Sequence, residues 1–169
     1  MADGIVLDSS AALAVLLGEP GAVSVREHLV AAAGQPLLVL DLFWLEVTNV
    51  LVRRHGWEPD AVVEALRELD ELRLETVMPD RPLVLATLDL AVTRGISAYD
   101  AAHLALAEAA DALLITLDAG LARAAGARSA LRPPPGTREE PEPYVSERAT
   151  PDWARHGRYL AELRRAAGA

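Results

Sequence analysis

Four carboxylates in this chain have the residue type and setting that metal-assisted chemistry would need. Asp8 closes the apolar run Ile5-Val-Leu. Asp118 comes shortly after Ala112-Leu-Leu-Ile-Thr, and Asp100 lies within Ile96-Ser-Ala-Tyr-Asp-Ala-Ala-His. Glu46 stands among Phe43, Trp44, Leu45, Val47, Val50 and Leu51, so its helix reads as largely buried. An acid in such surroundings needs a partner. Brought together without one, two like charges ~4 Å apart repel by roughly 4 kcal/mol at an effective dielectric of about 20. A cation removes that cost. Hard oxygen ligands select Mg²⁺ or Mn²⁺ over zinc, and such an ion can acidify a water and direct it at a phosphorus. Taken singly, Asp8 and Asp118 read equally well as turn or N-cap residues. What points to chemistry is the coincidence of all four at one sheet edge.

The elements that would position these acids alternate along the chain. Strands are expected at 5–7, 36–40, 74–77 and 112–116, with a last one near 128–132. Helices are expected at 10–17, 21–33, from the Asp41 cap to about Arg54, and at 59–72, 81–94 and 98–109. A short helix should follow Asp118. Strands separated by helices pair in parallel through right-handed crossovers and are covered on both faces. In such open sheets the site lies beyond the carboxyl ends of the strands, where Asp8 and Asp118 fall. Glu46 lies about one turn into its helix and Asp100 in the first turn of another.

Bulk composition agrees with a folded domain. The chain has 169 residues, of which 51% are hydrophobic and 24% charged, enough for one domain with a full core and an appendage. No apolar run approaches the ~18 residues of a membrane span, and the start lacks a basic region ahead of its apolar stretch. There is no cysteine, which excludes a disulfide framework, a thiol nucleophile and a thiolate metal site. A cytoplasmic protein is the expectation. The net charge of −9 alone argues against a nucleic-acid partner, but a carboxylate site adds negative charge and a bound divalent ion inverts the local field. Every basic residue other than histidine is Arg, the better bidentate phosphate ligand; the bias reads as compositional.

Four stretches in order resemble PIN domains, and within them the VapC-type toxins of bacterial toxin–antitoxin pairs. They are Ile5-Val-Leu-Asp-Ser-Ser-Ala, Leu45-Glu-Val-Thr-Asn-Val-Leu, Ile96-Ser-Ala-Tyr-Asp-Ala-Ala-His-Leu-Ala-Leu-Ala and Leu113-Leu-Ile-Thr-Leu-Asp-Ala-Gly-Leu. Each is weak alone; together they match across roughly residues 4–132. The resemblance implies a three-layer α/β/α sandwich with a central parallel sheet. It implies a Mg²⁺- or Mn²⁺-dependent endoribonuclease, a homodimer, and a small cognate antitoxin. Carried over, it makes Asp8, Glu46, Asp100 and Asp118 the metal-binding and catalytic acids. Ser9, Asn49 and Thr116 match supporting positions, and Asn49 shares a helix face with Glu46 by its spacing of three. Arg53, two turns from Glu46, is a candidate phosphate contact, although solvating the helix end is the simpler role. His103, one turn after Asp100, reads as packing rather than as a general acid. His28 and His55 are assigned nothing.

The domain assignment is 1–132 for the PIN-like part and 133–169 for a Pro-rich linker and helical tail. Leu131-Arg-Pro-Pro-Pro-Gly-Thr-Arg-Glu-Glu-Pro-Glu-Pro is incompatible with helix or central strand. Trp153, Tyr159, Leu160 and Leu163 are the tail's candidate anchors, and Arg155, Arg158, Arg164 and Arg165 could enter the acidic site from the same chain. This tail departs from the VapC pattern, so RNA processing outside a toxin–antitoxin pair stays open. So do a flap-type DNA nuclease and a non-catalytic metal- or partner-binding module. A phosphotransfer receiver is excluded by the lack of any lysine.

Overall fold

A computed structural model describes residues 4–131, all within one compact unit, Met1–Glu139. The expectations for the Pro-rich linker, the tail anchors and the tail arginines fall outside those residues. Four short strands, β1 (Ile5–Leu7), β2 (Leu37–Leu40), β3 (Glu75–Val77) and β4 (Leu113–Ile115), form one parallel sheet in the order β3-β2-β1-β4. Helices α1 (Ser9–Leu17) and α2 (Ala22–Ala31) connect β1 to β2. Helices α3 (Leu42–Asn49) and α4 (Pro59–Asp70) connect β2 to β3, and α5 (Arg81–Arg94) and α6 (Ala98–Ala109) connect β3 to β4. Helix α7 (Ala119–Ala125) follows β4.

Two apolar clusters show why the sheet is covered twice. Alternate side chains of a strand point to opposite faces. Ile5, Leu7, Val39 and Ile115 pack with Val25, Phe43, Val47, Leu51, Val62 and Leu69 from α1 to α4. Val6, Leu40 and Leu114 pack instead with Leu83, Leu90, Leu104 and Leu121 from α5 to α7. The result is a three-layer α/β/α sandwich with a parallel core. The chain runs from β1 outward through β2 to β3 on one side, then returns to place β4 on the other side of β1. The direction of winding reverses between β1 and β4, which is the point where open sheets hold their ligands.

The structure departs from the sequence-based expectation in three local respects. The strand expected near 128–132 is reduced to a single bridge between Leu114 and Ser129, after a 3₁₀ turn over Gly126–Arg128. The Ser129 hydroxyl donates to the Leu131 carbonyl two residues on, a local bond in place of a longer ladder. Second, the helix carrying Glu46 is exposed along one side, with Leu45 at 68% exposure. Third, its last turn, Val50–Arg54, is a π-turn. An extra residue in a turn rotates everything after it relative to a regular α-helix.

Two glycines in the α1–α2 connection adopt positive φ, Gly18 at 65° and Gly21 at 98°. A Cβ on Gly18 would meet nothing, whereas one on Gly21 would lie 2.9 Å from Leu117 Cδ1. Leu117 sits between Thr116 and Asp118, so this close approach seats the β4–α7 loop. The backbone alone costs an L-residue about 1–2 kcal/mol there. Gly18→Ala is expected to lose about that much in urea unfolding, and Gly21→Ala measurably more; equal losses would show that the Leu117 contact is immaterial.

Candidate metal centre

The four acids arrive at the carboxyl edge of the sheet by different routes. Asp8 follows β1 directly and its backbone N–H donates to the Ile115 carbonyl on β4 (3.0 Å). It occupies the N-cap position of α1, yet its side chain makes no capping bond. The Thr116 hydroxyl donates to Asp8 Oδ2 (2.8 Å), and the Ser10 hydroxyl donates to the same oxygen. Both hydroxyls also accept: Thr116 from the Asp118 N–H (3.0 Å) and Ser10 from the Leu117 N–H (3.0 Å). The β1–α1 and β4–α7 loops are thereby tied through two hydroxyls, and Asp8 Oδ1 is left to face the site.

Asp118 caps α7 by accepting the Leu121 N–H on Oδ1 (2.6 Å). Asp100 lies in the first turn of α6 under the Ser97 cap. The Ser97 hydroxyl accepts the Asp100 N–H (3.0 Å) and donates to Asp100 Oδ2 (2.7 Å). The spacing is that of a capping box, but the acid accepts from the Ser97 hydroxyl rather than from the Ser97 N–H. Glu46 projects from α3 in the opposite helical layer, and its Oε2 is buried without a hydrogen-bond partner among the described residues.

Asp8, Glu46 and His103 each offer one ligand atom, all within 4.8 Å of one another, close enough to hold one metal ion. Burial pushes the Glu46 carboxyl above its ordinary value; a Ser9 hydroxyl contact and His103 oppose the rise, and the charges of Asp8 and Asp100 add to it. Burial also raises Asp100; the Ser97 hydroxyl opposes, Asp118 and Asp8 add, and His103 opposes. The four acids thus lie within one electrostatic neighbourhood, and a buried, unpartnered Glu46 oxygen fits a cation site.

The supporting residues separate. Thr116 bonds Asp8 directly, and Ser9 acts on Glu46. Asn49 is exposed, and its side chain makes no hydrogen bond among the described residues. The π-turn begins at the next residue, and Val50 lines a cavity that has Asp118 on its wall. Within the π-turn, Arg54 rather than Arg53 lines the same cavity. That cavity, of about 370 Å³, runs past Ser9, Ser10, Asp118 and Ala119 to Val50, Arg54 and His55. Sequence reasoning missed Ser10 and Ser97, although Ser97-Ala-Tyr-Asp100 carries a capping-box spacing that could have found one of them.

A family model described as PIN domain matches residues 5–127. The chain belongs to the PIN-domain family. Solved structures similar to this PIN domain include PAE2754 from Pyrobaculum aerophilum, at 26% identity and a TM-score of 0.52, covering 75% of this chain and 87% of that one. VapC20 of Mycobacterium tuberculosis, described as a sarcin–ricin loop cleaving toxin, aligns at 18% identity and a TM-score of 0.58, covering 72% of this chain and 95% of that one. A toxin–antitoxin complex from Klebsiella pneumoniae aligns at 18% identity and a TM-score of 0.51, covering 68% of this chain and 87% of that one. No curated protein matches.

The raised carboxyls of this PIN domain give a sign for its pH behaviour. A group whose pKa is higher folded than unfolded binds protons more tightly when folded, so its contribution favours the folded state at low pH and is lost as pH rises. Above the ordinary Glu value of 4.5, ionised Glu46 therefore works against the metal-free fold. In excess chelator, Glu46→Gln is expected to melt at a higher temperature than wild type at neutral pH. The gap should narrow as pH falls toward that value. A gap of opposite sign, or one independent of pH, would contradict the burial of the Glu46 charge.

Proposed function

We propose that the protein is a metal-dependent endoribonuclease that hydrolyses RNA phosphodiester bonds with Mg²⁺ or Mn²⁺, as the toxin of a type II toxin–antitoxin pair. On this reading it acts in the cytoplasm as a homodimer, held inactive by a cognate antitoxin. The observation that carries the proposal is the gathering of Asp8 and Glu46 within metal-ligand reach, with Asp100 and Asp118 adding charge to the same site. PIN-family membership and the likeness to solved toxins support the nuclease and antitoxin parts of this reading. No helix among the described residues is long and apolar enough to cross a membrane.

The side chains divide the work. Asp8, held by Thr116 and Ser10, presents one fixed oxygen, and Glu46 presents another from the opposite layer. A bound divalent cation would supply Lewis acidity, compensating the charge of the phosphate and of the departing oxygen. Asp100, held by the Ser97 hydroxyl beside the Asp8–Glu46 pair, is the acid placed to accept a proton from an attacking water. Asp118 has Oδ1 engaged by its helix and keeps Oδ2 for the site. Across the cavity, Arg54 makes no ion pair or side-chain hydrogen bond among the described residues. It offers positive charge to a phosphate of the strand beside the scissile bond. A strongly acidic protein can in this way bind a polyanion through a local field opposite to its net charge.

Purified protein is expected to cut total and structured RNA in Mg²⁺ or Mn²⁺ and to stop in EDTA. Asp8→Asn should slow cleavage on the order of 100-fold or more, as expected when several kcal/mol of metal stabilisation are lost. Arg54→Ala should instead raise KM for RNA with little change in kcat. RNA cleavage that survives both EDTA and Asp8→Asn would overturn the carboxylate mechanism. Absence of cleavage in either metal, with and without residues 133–169, would make the protein a binding module.

A further inference from the structure

His103 is placed where packing alone does not require its second ring nitrogen to point. The side chain is 1% exposed, within α6. Nδ1 lies 3.1 Å from the Tyr99 carbonyl oxygen, one helical turn back. A carbonyl can only accept, so Nδ1 carries the hydrogen, and in the neutral ring the lone pair is on Nε2. Nε2 faces Asp8 Oδ1 at 3.6 Å, too far for a hydrogen bond. It has no hydrogen-bond partner among the described residues, and neither does Glu46 Oε2.

Asp8, Glu46 and the neutral His103 ring each bring an acceptor atom within 4.8 Å of the other two, and Glu46 and His103 each keep a buried atom without a hydrogen-bond partner among the described residues. That arrangement is repulsive until something positive occupies the space. One cation touching Asp8, Glu46 and His103 satisfies all three, and the hydrogen bond from Nδ1 to Tyr99 is the support that metal-bound imidazoles ordinarily have, fixing tautomer and ring direction.

We propose that His103 Nε2 is a ligand of the metal alongside Asp8 and Glu46, making the centre a mixed nitrogen–oxygen site. The proposal rests on the reading that the acids hold a divalent cation, and adds a residue that the carboxylates alone do not require. Its consequence is metal preference. An imidazole ligand favours Mn²⁺, and still more the later transition metals, over Mg²⁺, which strongly prefers oxygen. The protein should bind Mn²⁺ more tightly than an all-carboxylate site would, while Mg²⁺ gains little.

The test is electron spin echo spectroscopy of Mn²⁺ added to the metal-free full-length protein, which detects nitrogen bonded to the ion. Wild type should show ¹⁴N coupling, replaced by ¹⁵N coupling when histidine is isotopically labelled. His103→Gln should lose the coupling and weaken Mn²⁺ binding at least ~10-fold, with a smaller loss for Mg²⁺. Because His103→Gln removes a buried ring, a second variant keeps the test decisive. H28Q/H55Q/H156Q leaves His103 as the only one of the 4 histidines and should retain the coupling. Bound Mn²⁺ without nitrogen coupling in wild type, or coupling lost in that triple variant, overturns the His103 assignment and leaves the carboxylate site standing. Failure of wild type to bind Mn²⁺ at all overturns the metal reading and this inference with it.

Discussion

The mutual repulsion of four carboxylates at the end of a parallel sheet is the constraint to which the rest of the structure answers. A fold gains nothing in stability by collecting like charges where water is scarce, and the rise in the Glu46 and Asp100 pKa values follows from that burial. What holds the arrangement is distributed. Thr116 and Ser10 link Asp8 to the β4–α7 loop, Ser97 fixes Asp100, and two apolar clusters clamp the sheet from either side. Glu46 comes from one helical layer and Asp100 from the other, so neither layer can shift without moving one wall of the site. Stability built in the core is used to keep charges close at the edge.

Much of this is legible in the sequence because it rests on local signals. The helices at 81–94 and 98–109 have the expected bounds, with Asp80 and Ser97 as side-chain caps and Gly95 ending the first in the left-handed region. The position of Asp8 and Asp118 past apolar strands follows from strand length and the sheet-edge rule. The alternation of β1, with Ile5 and Leu7 on one face and Val6 on the other, is invisible as a pattern because both faces are apolar.

What the sequence does not disclose depends on tertiary geometry. Val50-Leu-Val-Arg-Arg has no glycine or proline to announce a π-turn, and regular helical spacing therefore selects Arg53 where Arg54 lines the cavity. His103 reads as packing because its neighbours Ala101, Ala102 and Leu104 are apolar. Only the folded chain reveals that Nδ1 is taken by Tyr99 and that Nε2 turns to the acids. Ser10 escapes notice because its partners, Asp8 and Leu117, lie on different segments that meet only in the folded sheet.

The acids at the β1–β4 junction are gathered to hold a cation. Crystals soaked in Mn²⁺ and measured at its absorption edge test it directly, because anomalous scattering locates the ion without assumptions about activity. A peak is expected within bonding distance of carboxylate oxygens of Asp8 and Glu46, with Asp100 and Asp118 beside it. Fully ordered acids with no peak at saturating Mn²⁺, their charges met instead by protons or by Arg, would contradict it.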